Sequence, residues 1–148
     1  MPVNTDYVGH RYPPSGPYAV TAEQIAAFAD AVRAESPLHR DESAAREAGY
    51  PGVVAPPTFA VSLSQRCEAQ LVRDEQAGID FARVVHGEQS FTHHRPLVAG
   101  DEVVGVLHVD SIRAAGGHAM VTTRTELSTA TGEPVCTATS TIVVRGEE

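Results

Sequence analysis

Few side chains in this sequence are placed for proton chemistry, and His39 is the best placed of them. It closes Ser36-Pro37-Leu38-His39, a proline turn between two helical patterns. Imidazole titrates near neutrality, so a held histidine serves as general base or acid when a carboxylate shares the proton work. The nearest carboxylates upstream are Glu35, at the end of the preceding helix, and Asp30, about one turn earlier. Each also reads as a solvated helix-end charge. His39 also reads as a hydrogen-bonded histidine in a structural turn. Thr58 opens the next helix, where its hydroxyl reads as a helix cap.

A second group is His86, Glu88, His93 and His94. Strand alternation places His86, Glu88 and His94 on one face and His93 on the other. The gap is long and no Asp or Cys completes a ligand set, so we expect no metal. Polar strand faces at an interface explain these residues better. Arg95 either meets a phosphate or pairs with Asp101. Gly116-Gly117 is a hairpin turn, and no Gly-x-Ser-x-Gly nucleophile motif occurs. The two cysteines, Cys67 and Cys136, lie in apolar periodic segments and read as reduced core residues.

The elements that must hold these residues follow from periodicity. Residues 1–17 are rich in Pro, Gly and Tyr and read as an irregular arm. Tyr18-Ala19-Val20 is a candidate edge strand. Thr21 with Gln24 forms a capping box, which predicts a helix from Ala22. Its apolar stripe is Ile25, Phe28, Ala29 and Val32, and Pro37 stops it by Ser36. Asp41 or Glu42 opens a short helix that Gly49 ends. Pro56-Pro57 starts a third helix over Thr58 to Val72, apolar nearly all round in its first turns. Four strand patterns follow: 83–94, 102–113, 118–128 and 133–145. Their short connections predict a four-stranded antiparallel meander. One helix against a curled antiparallel sheet is the economical packing, so the fold class is α+β.

A chain of 148 residues with a net charge of −8 fits one domain with its own core. No domain boundary is visible. The charge argues against a nucleic-acid partner. No apolar stretch is long enough to span a bilayer and no signal-like leader is seen, so no membrane role and a cytoplasmic location are expected.

Six stretches carry a resemblance. Pro37-Leu38-His39 matches the end of the G-D-x-N-P-L-H pattern of (R)-specific enoyl-thioester hydratases. Val85 to Phe91, His94-Arg95-Pro96-Leu97 and Gly100-Asp101 resemble the strand and turn signature of the MaoC-like branch. Ala55 to Phe59 and Gly132 to Val135 resemble its helix start and its last hairpin. The sequence is identified as a member of the MaoC-like hot-dog family, close to its fused-type N-terminal dehydratase branch. The resemblance covers Tyr18 to Arg145. It implies a hot-dog fold, with a sheet wrapped around one long central helix. It also implies a paired assembly, either a homodimer or a heterodimer with a MaoC-type subunit. The ligands implied are thioesters of coenzyme A or acyl carrier protein, with no cofactor. The reaction implied is reversible hydration of a trans-2-enoyl thioester to the (3R)-hydroxyacyl form.

The chain departs from the pattern twice. The family's catalytic Asp falls on Ala34 and its Asn on Ser36. The Gly whose amide holds the thioester oxygen falls on Pro57, which has no N–H. The resemblance leaves His39 as a partial site, Glu35 as a possible substitute acid, and Ser36, Thr58 and Phe59 as substrate contacts. Some stand-alone members resemble the non-catalytic subunits of mycolic-acid dehydratases, whose partner supplies acid and histidine. We expect that arrangement here. Two alternatives stand beside it. One is a hot-dog acyl-thioesterase using Glu68 or, less well placed, Asp74. The other is a module that binds an acyl chain without chemistry.

Overall fold

The computed structural model describes residues 2–146. Helix α1 spans Ala22–Ala31, and the Thr21–Gln24 capping box closes both ways as the sequence predicts. The helix ends in a Schellman turn. Ala34 N–H donates to Ala29 C=O at 2.8 Å, and Arg33 N–H donates to Asp30 C=O at 3.2 Å. The turn needs a left-handed residue, and Arg33 fills it with φ 59°. This is the position where the family pattern carries Gly, which adopts that conformation freely. A 3-10 turn, Pro37–His39, leads to α2, Glu42–Glu47, capped by Asp41 and closed at Gly49.

Helix α3 spans Ala60–Val72, after a 3-10 turn over Pro57–Phe59. The strands are β1 (Ser15–Ala19), β2 (Val84–His93), β3 (Glu102–Ala115), β4 (His118–Thr129) and β5 (Pro134–Val144). They form one sheet in the order β1-β3-β4-β5-β2, with every pairing antiparallel. The central helix packs on β1, β3, β4 and β5. Its inner stripe, Ala60, Leu63, Ser64, Cys67 and Leu71, is buried. Contact is closest at Gly105, where a Cβ would overlap Cys67 Sγ and approach Leu127 Cδ2 to 3.1 Å. A glycine inside a strand marks such a close approach. Burial pushes the Cys67 and Cys136 thiols up to about 11, so both remain protonated core groups.

Two expectations need correction. The four long strands are not one meander. β3, β4 and β5 are consecutive neighbours, but β2 pairs with β5 at the far edge. The segment 94–101 crosses the end of the β4–β5 hairpin to reach β3. Arg95 secures it there, bonding Asp101 through two contacts at 2.9 and 3.0 Å and Glu133 in that hairpin at 2.7 Å. Connection length alone does not reveal which strand a segment passes. The arm also holds more structure than its composition suggests. It contains a 3-10 turn at Thr5–Tyr7 and a bridge from Arg11 to His108, and β1 begins at Ser15.

The arm is pinned to the C-terminal end of α3. The hydroxyls of Tyr7 and Tyr12 each donate to Asp74 Oδ2 at 3.0 Å, and Asp74 Oδ1 accepts from Gln76 N–H. His10 lies against both tyrosine rings. Burial raises the Asp74 pKa, but the two hydroxyls and the Gln76 amide outweigh it and hold the carboxyl below its usual value. A depressed folded-state pKa contributes stability above the unfolded carboxylate pKa, about 3.9, and that stability is lost as pH falls through the folded value. Asp74→Asn is therefore expected to destabilise the protein at neutral pH. The gap should close as pH falls below about 4. Urea melts across pH check this, and a gap independent of pH would refute it. Among the described residues, no helix is long and apolar enough to cross a membrane.

Candidate active site

His39 is placed by backbone and side chain together. Ser36 Oγ accepts from Leu38 N–H at 3.2 Å and starts the 3-10 turn. Val54 N–H donates to Leu38 C=O at 2.8 Å, tying the turn to the strand-like segment before α3. His39 Nδ1 lies 2.6 Å from Val54 C=O. A carbonyl only accepts, so Nδ1 carries the proton. In the neutral ring, Nε2 is then an unprotonated base. The contact clamps the turn and also sets the tautomer that a general base needs.

Ala34 occupies the position after the Schellman turn and carries no titratable group. Glu35 is exposed. Asp30 pairs with Arg40 at 2.8 Å, so its carboxylate is engaged beside the turn. At the helix start, Pro56 and Pro57 lack N–H groups. Thr58 N–H is the first amide available. Neither turn start is capped by a side chain, since the cap positions are Pro56 and Phe59. Phe59 points into the core at 4% exposure and packs edge-on against Phe28 at 5.5 Å. Ser36 acts as the cap of its own turn.

A groove of about 500 Å³ runs between the start of α3 and β2, lined in part by Thr58, Val61, Gln65, His86 and His93. A second, of about 730 Å³, continues along the helix past Glu68 and Val72. His39 lines neither of them. The expected division of the β2 histidines also fails. A bulge at Gly87 shifts the register between His86 and Glu88. His86 pairs with Ile142, Gln89 with buried Ser140 and His93 with buried Cys136. His86, Gln89 and His93 therefore share the inner face, and Glu88 turns outward. His93 Nε2 donates to Pro57 C=O at 2.8 Å. Among the described residues, no three His, Cys, Asp or Glu side chains converge as a metal site. Arg95, a candidate for phosphate, is held by Asp101 and Glu133, and those bonds raise its pKa further.

Glu68 and Asp74 separate clearly. Asp74 serves the arm. Glu68 lies in the second groove, where burial pushes its carboxyl up against the opposing pull of Ser140 and His86. Ser140 Oγ lies 3.4 Å from His86 Nε2. Sequence reasoning gave Glu68 a neighbourhood on α3 only. The β2 and β5 partners come from the bulge and from the strand order.

A central helix on an antiparallel sheet, with a histidine turn beside the helix start, defines the class: a hot-dog dehydratase fold. Residues 6–138 match the FAS1-like dehydratase domain region, and the chain belongs to that family. A UPF0336 protein of Saccharopolyspora erythraea is 53% identical over 146 residues, covering 99% of this chain and 94% of the relative. A solved MaoC-like dehydratase superposes with a TM-score of 0.87 at 35% identity, over 95% of this chain. This chain spans only 42% of that longer chain. The C-terminally truncated HadBC (3R-hydroxyacyl-ACP dehydratase) complex from Mycobacterium tuberculosis gives a TM-score of 0.82 at 32% identity. That match covers 94% of this chain and 98% of the other.

Proposed function

We propose that this chain is a single-domain subunit of a cytoplasmic (R)-specific enoyl-thioester hydratase or (3R)-hydroxyacyl-thioester dehydratase. It acts on acyl-CoA or acyl carrier protein thioesters without a cofactor, and a MaoC-type hot-dog partner completes it. In hydration, water adds oxygen to C3 while C2 takes a proton, and the thioester oxygen carries developing negative charge. The observation that carries this reading is the half-built site. His39 is held in the base tautomer at 2.6 Å from Val54 C=O, while Ala34 and Pro57 stand at the acid and donor positions. The partner would supply the missing carboxylic acid and a complete amide hole. Ser36 would shape the turn, Thr58 N–H would be this chain's nearest oxyanion donor, and Phe59 would brace the helix start. Glu35 is the fallback acid if the chain proves active alone.

The test is hydration of short and long trans-2-enoyl thioesters, first with the purified chain and then with a MaoC-type chain that has intact Asp and His. The expected result is background turnover alone and turnover with the partner, above what the partner gives by itself. His39→Ala in this subunit should then have little effect. Turnover by the chain alone that His39→Ala abolishes would show that its own site closes. Release of free thiol without hydration would transfer the assignment to the thioesterase reading. Acyl-thioester binding without turnover under any pairing would transfer it to the binding module.

A further inference from the structure

A cavity of about 480 Å³ lies between the N-terminal arm, the segment before β2, the β3–β4 turn and the end of β5. Arg83, Arg113, His118 and Arg145 line it. Asp80 is the one carboxylate among its described lining residues, 3.7 Å from Arg83 Nε. The chain has 11 Lys and Arg residues against 19 Asp and Glu, so three cationic side chains around one cavity run against the overall charge. Among the described residues, no ion pair reaches Arg113 or Arg145.

Backbone groups hold these side chains. Arg83 Nη1 donates to Gly146 C=O at 2.7 Å, and Arg145 N–H donates to Arg83 C=O at 2.9 Å. The Arg145 guanidinium donates to the Arg83 and Ala82 carbonyls, each at 3.4 Å. A carbonyl fixes a guanidinium without neutralising its charge. Gly146 N–H donates to His118 Nδ1 at 3.0 Å, so Nε2 carries the proton in the neutral ring and is a further donor. A Cβ at Gly146 would overlap Gly117 C=O, so the end of β5 and the β3–β4 turn close tightly on each other. The arm side is fixed by Asn4 N–H, which donates to Ala77 C=O at 2.9 Å. Val3, Ile112 and Val144 add apolar wall, which strengthens polar contacts made inside.

We propose that this cavity binds the phosphate groups of a small molecule, with Arg113 and Arg145 as the principal donors. Guanidinium forks match phosphate oxygens, and the volume falls in the range of small-molecule sites. Arg83 directly precedes β2, a strand of 10 residues whose last member, His93, bonds Pro57 at the start of the central helix. At about 3.3 Å per residue, roughly 30 Å separates the cavity from that helix start. The ligand is therefore a second molecule, distinct from a thioester at the His39 turn. This site goes beyond the catalytic reading and does not depend on it.

Isothermal titration of the full chain with inorganic pyrophosphate at low salt tests this. One site per chain is expected, weakening as salt rises. Arg113, an exposed residue, is the position to change. Arg113→Ala should weaken binding at least about tenfold, as expected for losing hydrogen bonds to a charged group. Arg113→Lys should lie between the two, since an ammonium keeps the charge and loses the fork. Arg46→Ala removes an exposed arginine paired with Glu42 elsewhere on the surface and should leave binding unchanged. Circular dichroism checks that each variant is folded. No binding of pyrophosphate, or equal weakening by Arg46→Ala, overturns the proposal. Binding that appears only in a Glu147→Gln and Glu148→Gln double variant, changed at the two residues after Gly146, also overturns it. No thioester enters the titration, so either result leaves the hydration test to stand or fall by itself.

Discussion

Ala34→Asp combined with Pro57→Gly is expected to give the purified chain hydration activity that the unmodified chain lacks. The gain should be at least about a hundredfold over its background, the lower range for one positioned proton-transfer group. The backbone that would carry the new carboxylate is already shaped for it. Arg33 takes the left-handed conformation that the family gives to Gly, and Ala34 N–H is tied to Ala29 C=O at 2.8 Å. An aspartate at position 34 would therefore enter a held turn. His39 is fixed in the tautomer that exposes Nε2. Glycine at position 57 restores the amide that proline lacks, and one oxyanion donor is worth about a hundred- to a thousandfold in other enzymes. Each single variant should fall well short of the pair, because charge developing on the thioester oxygen and proton delivery to C2 belong to one transition state. The check is loss of enoyl absorbance with a trans-2-enoyl thioester, using circular dichroism to confirm folding. A folded double variant with no gain would mean that the His39 turn is a structural clamp only.

The largest stability effect is expected at Asp101. This carboxylate accepts both guanidinium contacts from Arg95 and the Val98 N–H at 2.9 Å. Its side chain is only 12% exposed and that of Arg95 is 25% exposed. Asp101→Ala leaves a half-buried guanidinium short of its main partner and an amide without its acceptor. It also loosens the crossing from β2 to β3, which Arg95 ties to Glu133 of the β4–β5 hairpin. Removing one partner of a buried, hydrogen-bonded ion pair costs about 3 kcal/mol or more. We expect a loss of roughly 2–3 kcal/mol here, scaled down for partial solvent screening. Urea denaturation at neutral pH measures it. Arg95→Met should be milder, because Glu133 is exposed and Asp101 keeps the Val98 amide. A loss below about half a kcal/mol for Asp101→Ala, within the range of ordinary surface changes, would show that the crossing is held by packing instead.

The helices and their caps were legible in the sequence because each depends on residues within a turn or two of one another, and so were the apolar positions of α3, though its burial is confined to one stripe and does not run all round as expected. Thr21 and Gln24, Asp41, and the run Ala60-Leu63-Cys67-Leu71 state their own geometry through side-chain type and 3.6-residue spacing. The turn that carries His39 was legible for the same reason, whereas Ala34 and Pro57 stand out only against the family pattern, which has Asp and Gly there. The tertiary structure decided what depends on distant partners. Strand order is one such property. β2 lies beside β5 because segment 94–101 crosses a hairpin, and no local pattern records that crossing. The face on which a β2 side chain lies is another. Perfect alternation predicts His86 with Glu88, but one extra residue at Gly87 turns Glu88 outward and brings His86 and Gln89 to the inner face. The Val54 carbonyl that sets the His39 tautomer, and the Ser140 hydroxyl beside Glu68, lie far away in sequence. Local spacing determines which side chains a helix or strand offers. Only the packing of the whole chain determines which of them meet.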